Sequence, residues 1–223
     1  MPRAFTETEK ETIRDKLMEA GRTCFLRYGL KRTTLDDLVK PAGIAKASFY
    51  LFFGSKEALF VELFMAEIPA MMARLLDCSF GTAGNTREAL VLLIKGIARE
   101  VQGNEFSRIL LDNPSELQKV MSSVDFNALL ARTSEFYGPL VAKVIEAQGR
   151  GEIISGDPTQ ILYSLGMIKM LALNRDKMPP DLYASMMEFV PQVIASGLTN
   201  TNSISNEPAA SNADATERPK EVS

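Results

Sequence analysis

Residues 33–60 read TTLDDLVKPAGIAKASFYLFFGSKEALF, and this stretch decides the fold. Thr33 or Thr34 caps a short helix whose first turn holds Asp36 and Asp37, where the helix dipole favours carboxylates, and Pro41 stands near its end. Gly43 supplies a tight turn. Leu38, Val39, Ile44 and Phe49 are spaced to pack a following helix, about Ala45 to Phe52, against the first short one and against the helix before both. The pattern predicts a helix-turn-helix whose last helix is free to enter a DNA major groove. At about 100° per residue, Ala45, Phe49 and part of Phe52 turn inward, Lys46, Ala47 and Tyr50 face outward, and Ser48 and Leu51 lie at the margins. Small residues at 45, 47 and 48 let that backbone come close to the bases. Lys56 falls in the first turn of the next helix, where the dipole disfavours a cation, and a shared phosphate would offset the conflict.

Working outward, helical spacing continues nearly everywhere. Thr6 to Glu9 forms a capping box before a helix that buries Ile13, Leu17, Ala20, Cys24 and Tyr28 and stops at Gly29. A long helix starts at Ser55, with Leu59, Phe60, Leu63 and Phe64 buried and a kink expected at Pro69. Further helices are expected at Thr86–Gln102, as a short pair around Asn113-Pro114, and at Asp125–Gln148, bent or split at Gly138-Pro139. Asp157 caps a helix to about Leu173 that is apolar nearly all round, and Leu182, Met186, Phe189, Val190, Val193 and Ile194 form one stripe on the last helix. These two C-terminal helices carry more apolar surface than one subunit covers, which predicts a four-helix homodimer interface. After Leu198 the chain loses its apolar content and is expected to be disordered. The expected organisation is a helix-turn-helix domain at 1–54, a helical ligand-binding and dimerisation domain at 55–198, and a tail at 199–223.

Composition narrows the chemistry. The 223 residues contain no histidine, and Cys24 and Cys78 sit outside any CxxC pattern, so no cofactor, metal site or enzymatic activity is expected. Residues 1–60 carry eleven Lys/Arg against eight Asp/Glu, while the remainder carries fourteen against twenty, a basic head on an acidic body. No apolar run nears the roughly 20 residues of a membrane span, and MPRAFTETEKE lacks the apolar core of a signal peptide, so the expected location is the cytoplasm. Met71, Met72, Met121, Met167, Met170, Met186 and Met187 suit either an adaptable apolar pocket or plain core packing, and spacing does not separate the two.

The quoted stretch resembles the DNA-binding signature of the TetR family of bacterial transcriptional regulators: a Thr pair, an Ala-Gly-hydrophobic turn, a Lys, an aromatic-Tyr pair, a Phe and a Ser-Lys-Glu. The match covers about residues 10 to 64, and the rest agrees only in helix number and length. The resemblance implies an all-α dimer with an N-terminal three-helix head and a C-terminal body holding a ligand pocket and the dimer interface. Carried over position by position, Thr33 and Thr34 touch phosphate, Lys46 and Ser48 sit at the groove with Ala47 between them, and Tyr50 and Lys56 contact the DNA backbone. Ala45 stands where a hydroxyl residue is common, and Leu51 and Phe52 where polar or ring-nitrogen side chains are, which shifts the expected base reading toward thymine methyls. The expected function is a repressor released from a palindromic operator by a small apolar or amphipathic effector. The competing expectation is a helical small-molecule or lipid carrier with no DNA role, against which stands the basic head.

Overall fold

The capping box at Thr6 forms as written: its hydroxyl accepts from the Glu9 amide at 3.2 Å, and the Glu9 carboxylate accepts from the Thr6 amide at 2.7 Å. It starts α1 (Glu7–Arg32), the first element of a computed structural model that describes residues 5–111, 113–122 and 125–200. Gly29 breaks the helical path of α1 with φ 76° and ψ 165°, a conformation closed to residues with a Cβ, and one further turn follows it. Phe25 takes the buried position near this end, whereas Tyr28 points to solvent, contrary to the spacing argument.

α2 (Leu35–Ala42) is capped by Thr34, whose hydroxyl accepts from the Asp37 amide while the Asp37 carboxylate accepts from the Thr34 amide and hydroxyl. Gly43 adopts the left-handed conformation at φ 70°, and the Gly43 and Ile44 amides close the last carbonyls, Lys40 O and Val39 O. α3 (Lys46–Phe49) is shorter than the expected 45–52, because the Phe52 and Phe53 amides both turn back to Phe49 O and coil the chain into a turn. Ser55 then caps α4 (Lys56–Cys78) by accepting from the Ala58 amide at 3.0 Å. α4 runs unbroken through Pro69, where the sequence predicts a kink.

The body consists of α5 (Thr86–Gly103), α6 (Glu105–Leu111), α7 (Pro114–Ser122), α8 (Phe126–Gly149), α9 (Pro158–Leu165), α10 (Ile168–Leu173) and α11 (Pro180–Leu198). α8 continues through Gly138-Pro139 instead of splitting there. The single helix expected from Asp157 to Leu173 is two. At Gly166-Met167 the amides of Met167, Lys169 and Met170 each bond three residues back, tightening the chain into a joint between α9 and α10. Thr199 bridges to Ile153, and Asn200 donates to Glu152 O and Gly151 O, which fixes the first two residues of the expected tail. Residues 201–223 lie outside the described residues.

Two apolar cores meet along α4. Toward its start, Leu59, Phe60 and Leu63 join Leu17, Phe25 and Leu30 of α1, Leu38 and Val39 of α2, Phe49 of α3 and Phe53, with Phe106 of α6 and Val120 of α7 closing the group. Toward its end, Met65, Ile68, Met72 and Leu75 join the inner faces of α5, α8, α9 and α10. The expected stripe on α11 divides: Val190 and Ile194 pack against the body, while Leu182, Phe189 and Val193 stand exposed, as do Tyr163, Met167 and Met170 on α9 and α10. Among the described residues no helix is long and apolar enough to cross a membrane, and no group of His, Cys, Asp and Glu could hold a metal ion.

Candidate nucleic-acid interface and the cavity behind it

The turn at Gly43 sets α3 across α2 and brings one polar surface together. Thr34, Lys46, Ala47 and Tyr50 are exposed on it and Ser48 is half-buried. Buried Phe49 anchors α3 from below and packs edge-on against the Tyr50 ring at 5.7 Å, which holds Tyr50 outward. Lys46 Nζ forms an ion pair with Asp36 Oδ2 at 2.8 Å, so the α3 cation is oriented by the first turn of α2. Ala45 is exposed rather than inward, because it precedes the helix as its N-cap and lies off the buried face. Leu51 is 74% exposed beside Tyr50, an apolar side chain with no interior role and one that the helical-wheel reading left at the margin.

Two of the predicted contacts lie elsewhere. Thr33 is 1% exposed, and its hydroxyl donates to Gly29 O at 2.8 Å to finish α1, so it is closed to a phosphate. Lys56 has an internal answer to the dipole conflict: its Nζ donates to Leu30 O at 2.8 Å and Thr33 O at 2.9 Å. The carbonyl end of α1 supplies the negative potential that the sequence argument assigned to a phosphate.

Behind this surface, Glu62 of α4 ties head to body. Its carboxylate accepts from Arg132 of α8 at 2.6 and 3.2 Å and from Arg14 of α1 at 3.1 Å. The Arg132 hydrogen bond, seconded by the charges of Arg132 and Arg14, holds the Glu62 carboxyl below the usual carboxylate range against the opposing effect of burial.

A cavity of about 350 Å³ opens in the body, within the roughly 300–1,000 Å³ of small-molecule sites. Its wall is mostly apolar, with Met65, Met71, Met72 and Met121 among the lining residues, so three of the sequence-flagged methionines line it while Met167 and Met170 face outward. Phe60, Val61, Phe64 and Val120 line the cavity and also belong to the head core. The Phe60 ring sits edge-on to Phe25 of α1 at 5.5 Å and to Phe106 of α6 at 5.4 Å. The cavity is assembled from α4, α5, α6, α7, α8 and the α9–α10 joint, which is why no linear motif announced it.

A family model described as bacterial regulatory proteins, tetR family, matches residues 17–63, the whole of the surface just described. Over residues 17–63 the chain is a TetR-family head. Its head is therefore a DNA-binding helix-turn-helix, and the protein is a transcriptional regulator. A relative, the HTH-type transcriptional repressor DhaR of Mycobacterium sp. (strain GP1), is 25% identical over 205 residues, covering 87% of this chain and 97% of DhaR. The crystal structure of a TetR-family transcriptional regulator from Pectobacterium atrosepticum superposes with a TM-score of 0.65 at 20% identity, covering 87% of this chain and 98% of that one. The regulator FadR from Bacillus subtilis, in complex with stearoyl-CoA, superposes at 0.54 and 19% identity, covering 82% of this chain and 98% of FadR. At these identities the two structures speak for the TetR fold, an N-terminal helix-turn-helix head on a helical body.

Proposed function

We propose that the protein is a dimeric, ligand-released repressor: two heads read the half-sites of a near-palindromic operator, and a small molecule in the body weakens that grip. The carrying observation is that cavity and head share side chains. An occupant that displaces Phe60 must disturb its packing on Phe25 and Phe106, and close-packed groups shift between discrete arrangements rather than yield gradually. That DhaR is a repressor and that FadR holds an acyl-CoA supports the reading.

In this account Lys46, Ala47, Ser48 and Tyr50 face the DNA, with Lys46 leaving Asp36 for a base edge or phosphate and Thr34 bordering the phosphates. Thr33 and Lys56 instead maintain the head beneath them. The dimer forms through Tyr163, Met167 and Met170 of α9–α10 with Leu182, Phe189 and Val193 of α11, an apolar patch that a second copy covers by two-fold symmetry. The head is taken as residues 1–54 and the ligand-binding and dimerisation body as 55–198.

Fluorescence anisotropy on the DNA upstream of the protein's own gene, beside a scrambled control across a salt series, tests the DNA half. Binding near 10⁻⁸ M to the first alone, weakened by Lys46→Ala, is expected. Equal, weak and steeply salt-dependent binding to both would return the case to a carrier with an electrostatic surface.

A further inference from the structure

We infer that the effector is a monoanion with an apolar body, a carboxylic acid of the fatty-acid type, and that Lys169 is the residue that selects its charge. The inference rests on the cavity being the effector site.

Among the described residues, two charged side chains line this apolar cavity, Glu100 and Lys169, and they differ in one respect. Glu100 is already neutralised: Arg74 Nε and Nη2 donate to its two oxygens at 2.9 and 2.7 Å, a bidentate pair that leaves no net charge to offer a ligand. Lys169 forms no ion pair among the described residues. The cavity thus presents one uncompensated positive charge on an apolar wall.

The stem of Lys169 runs beside a bare stretch of the cavity wall. Lys169 follows the tight Gly166-Met167 joint, and its side chain folds back along Gly166, itself a lining residue: a Cβ built on Gly166 would lie 3.9 Å from Lys169 Cε. A Cβ at 166 would press on Tyr163 O at 3.1 Å while meeting the lysine stem at an ordinary van der Waals distance. Lys169 is half-buried and lines the cavity, so an apolar ligand body lying along the wall can bring its anionic end to the ammonium.

The physical consequence is a reversed preference. An apolar site lacking a cation favours an alcohol over the corresponding carboxylate, because an unpaired buried carboxylate pays a large desolvation cost. A site with a free ammonium favours the carboxylate through a charge-assisted hydrogen bond, a difference of roughly 10- to 100-fold in affinity.

The experiment compares decanoate with decanol by isothermal titration calorimetry on the full-length protein, in the native chain and in Lys169→Met and Lys169→Arg. The expected result is decanoate bound more tightly than decanol, with the advantage lost in Lys169→Met and retained in Lys169→Arg. Decanol binding as tightly as decanoate in the native protein would overturn the anion while leaving the cavity reading intact. An advantage that survives in Lys169→Met would overturn the assignment of Lys169. No binding of either probe would overturn the cavity reading itself, and this inference with it.

Discussion

Removing the Glu62 carboxylate tests whether head and body are mechanically joined where the structure joins them. Glu62 is about a quarter exposed (24%), while Arg14 and Arg132 are 44% and 53% exposed, so these contacts sit between a surface ion pair and a buried one. Arg132 donates twice and Arg14 once. Discounted for solvent at the guanidinium ends, the Arg132 contact contributes about 1 kcal/mol and the Arg14 contact about 0.5 kcal/mol, so Glu62→Gln destabilises by about 1–2 kcal/mol, or roughly 2–8 °C in melting temperature. Urea titrations of Glu62→Gln, Arg14→Met, Arg132→Met and the two double variants separate the contacts, and the cycle with Arg132 is expected to give the larger coupling. The effect depends on pH. The folded carboxyl titrates below the unfolded value of about 4.3, so its stabilisation is complete above that value and is lost as pH falls through the folded pKa. The native protein should therefore lose its advantage over Glu62→Gln below about pH 4. Coupling energies of zero in both cycles at pH 7 would refute the clasp.

Three further substitutions address single features. Asp36→Asn frees Lys46 and removes a negative charge from the DNA face, so operator affinity at low salt should rise by about 2- to 5-fold, and a fall measured by anisotropy would contradict the arrangement. Lys56→Met strips the α1 carbonyls of their donor and should cost about 1–3 kcal/mol in urea unfolding; unchanged stability with lost DNA affinity would restore the phosphate role. Phe189→Glu places a charge in the exposed patch of α11 and should weaken dimerisation at least about 30-fold in sedimentation, whereas an unchanged dimer would move the interface elsewhere.

What could be read from the sequence was local. The box at Thr6–Glu9, a threonine cap at 33 or 34 and the tight turn at Gly43 depend on residues within four positions of one another, and all three form, the cap at Thr34. Lys56 has internal partners that the sequence did not announce, because Leu30 and Thr33 lie 26 and 23 residues away and meet it only once α1 and α4 pack. Thr33 and Thr34 look alike in sequence, and tertiary packing alone buries one and exposes the other. The Gly166 joint went unseen because apolar residues continue on both sides of it, so the helical period gives no sign of a break. Lys169 carried no signal either: its meaning depends on Glu100 being neutralised by Arg74, a contact across α4 and α5.

If cavity and head are coupled through Phe60 and the head core that Val120 helps to close, filling the cavity must change operator affinity. Once calorimetry has established a concentration of decanoate that saturates the protein, anisotropy with the operator is run with and without it. The account predicts a 5- to 150-fold loss of affinity, the range that about 1–3 kcal/mol of coupling produces. Undiminished operator binding by protein whose cavity is saturated would contradict it.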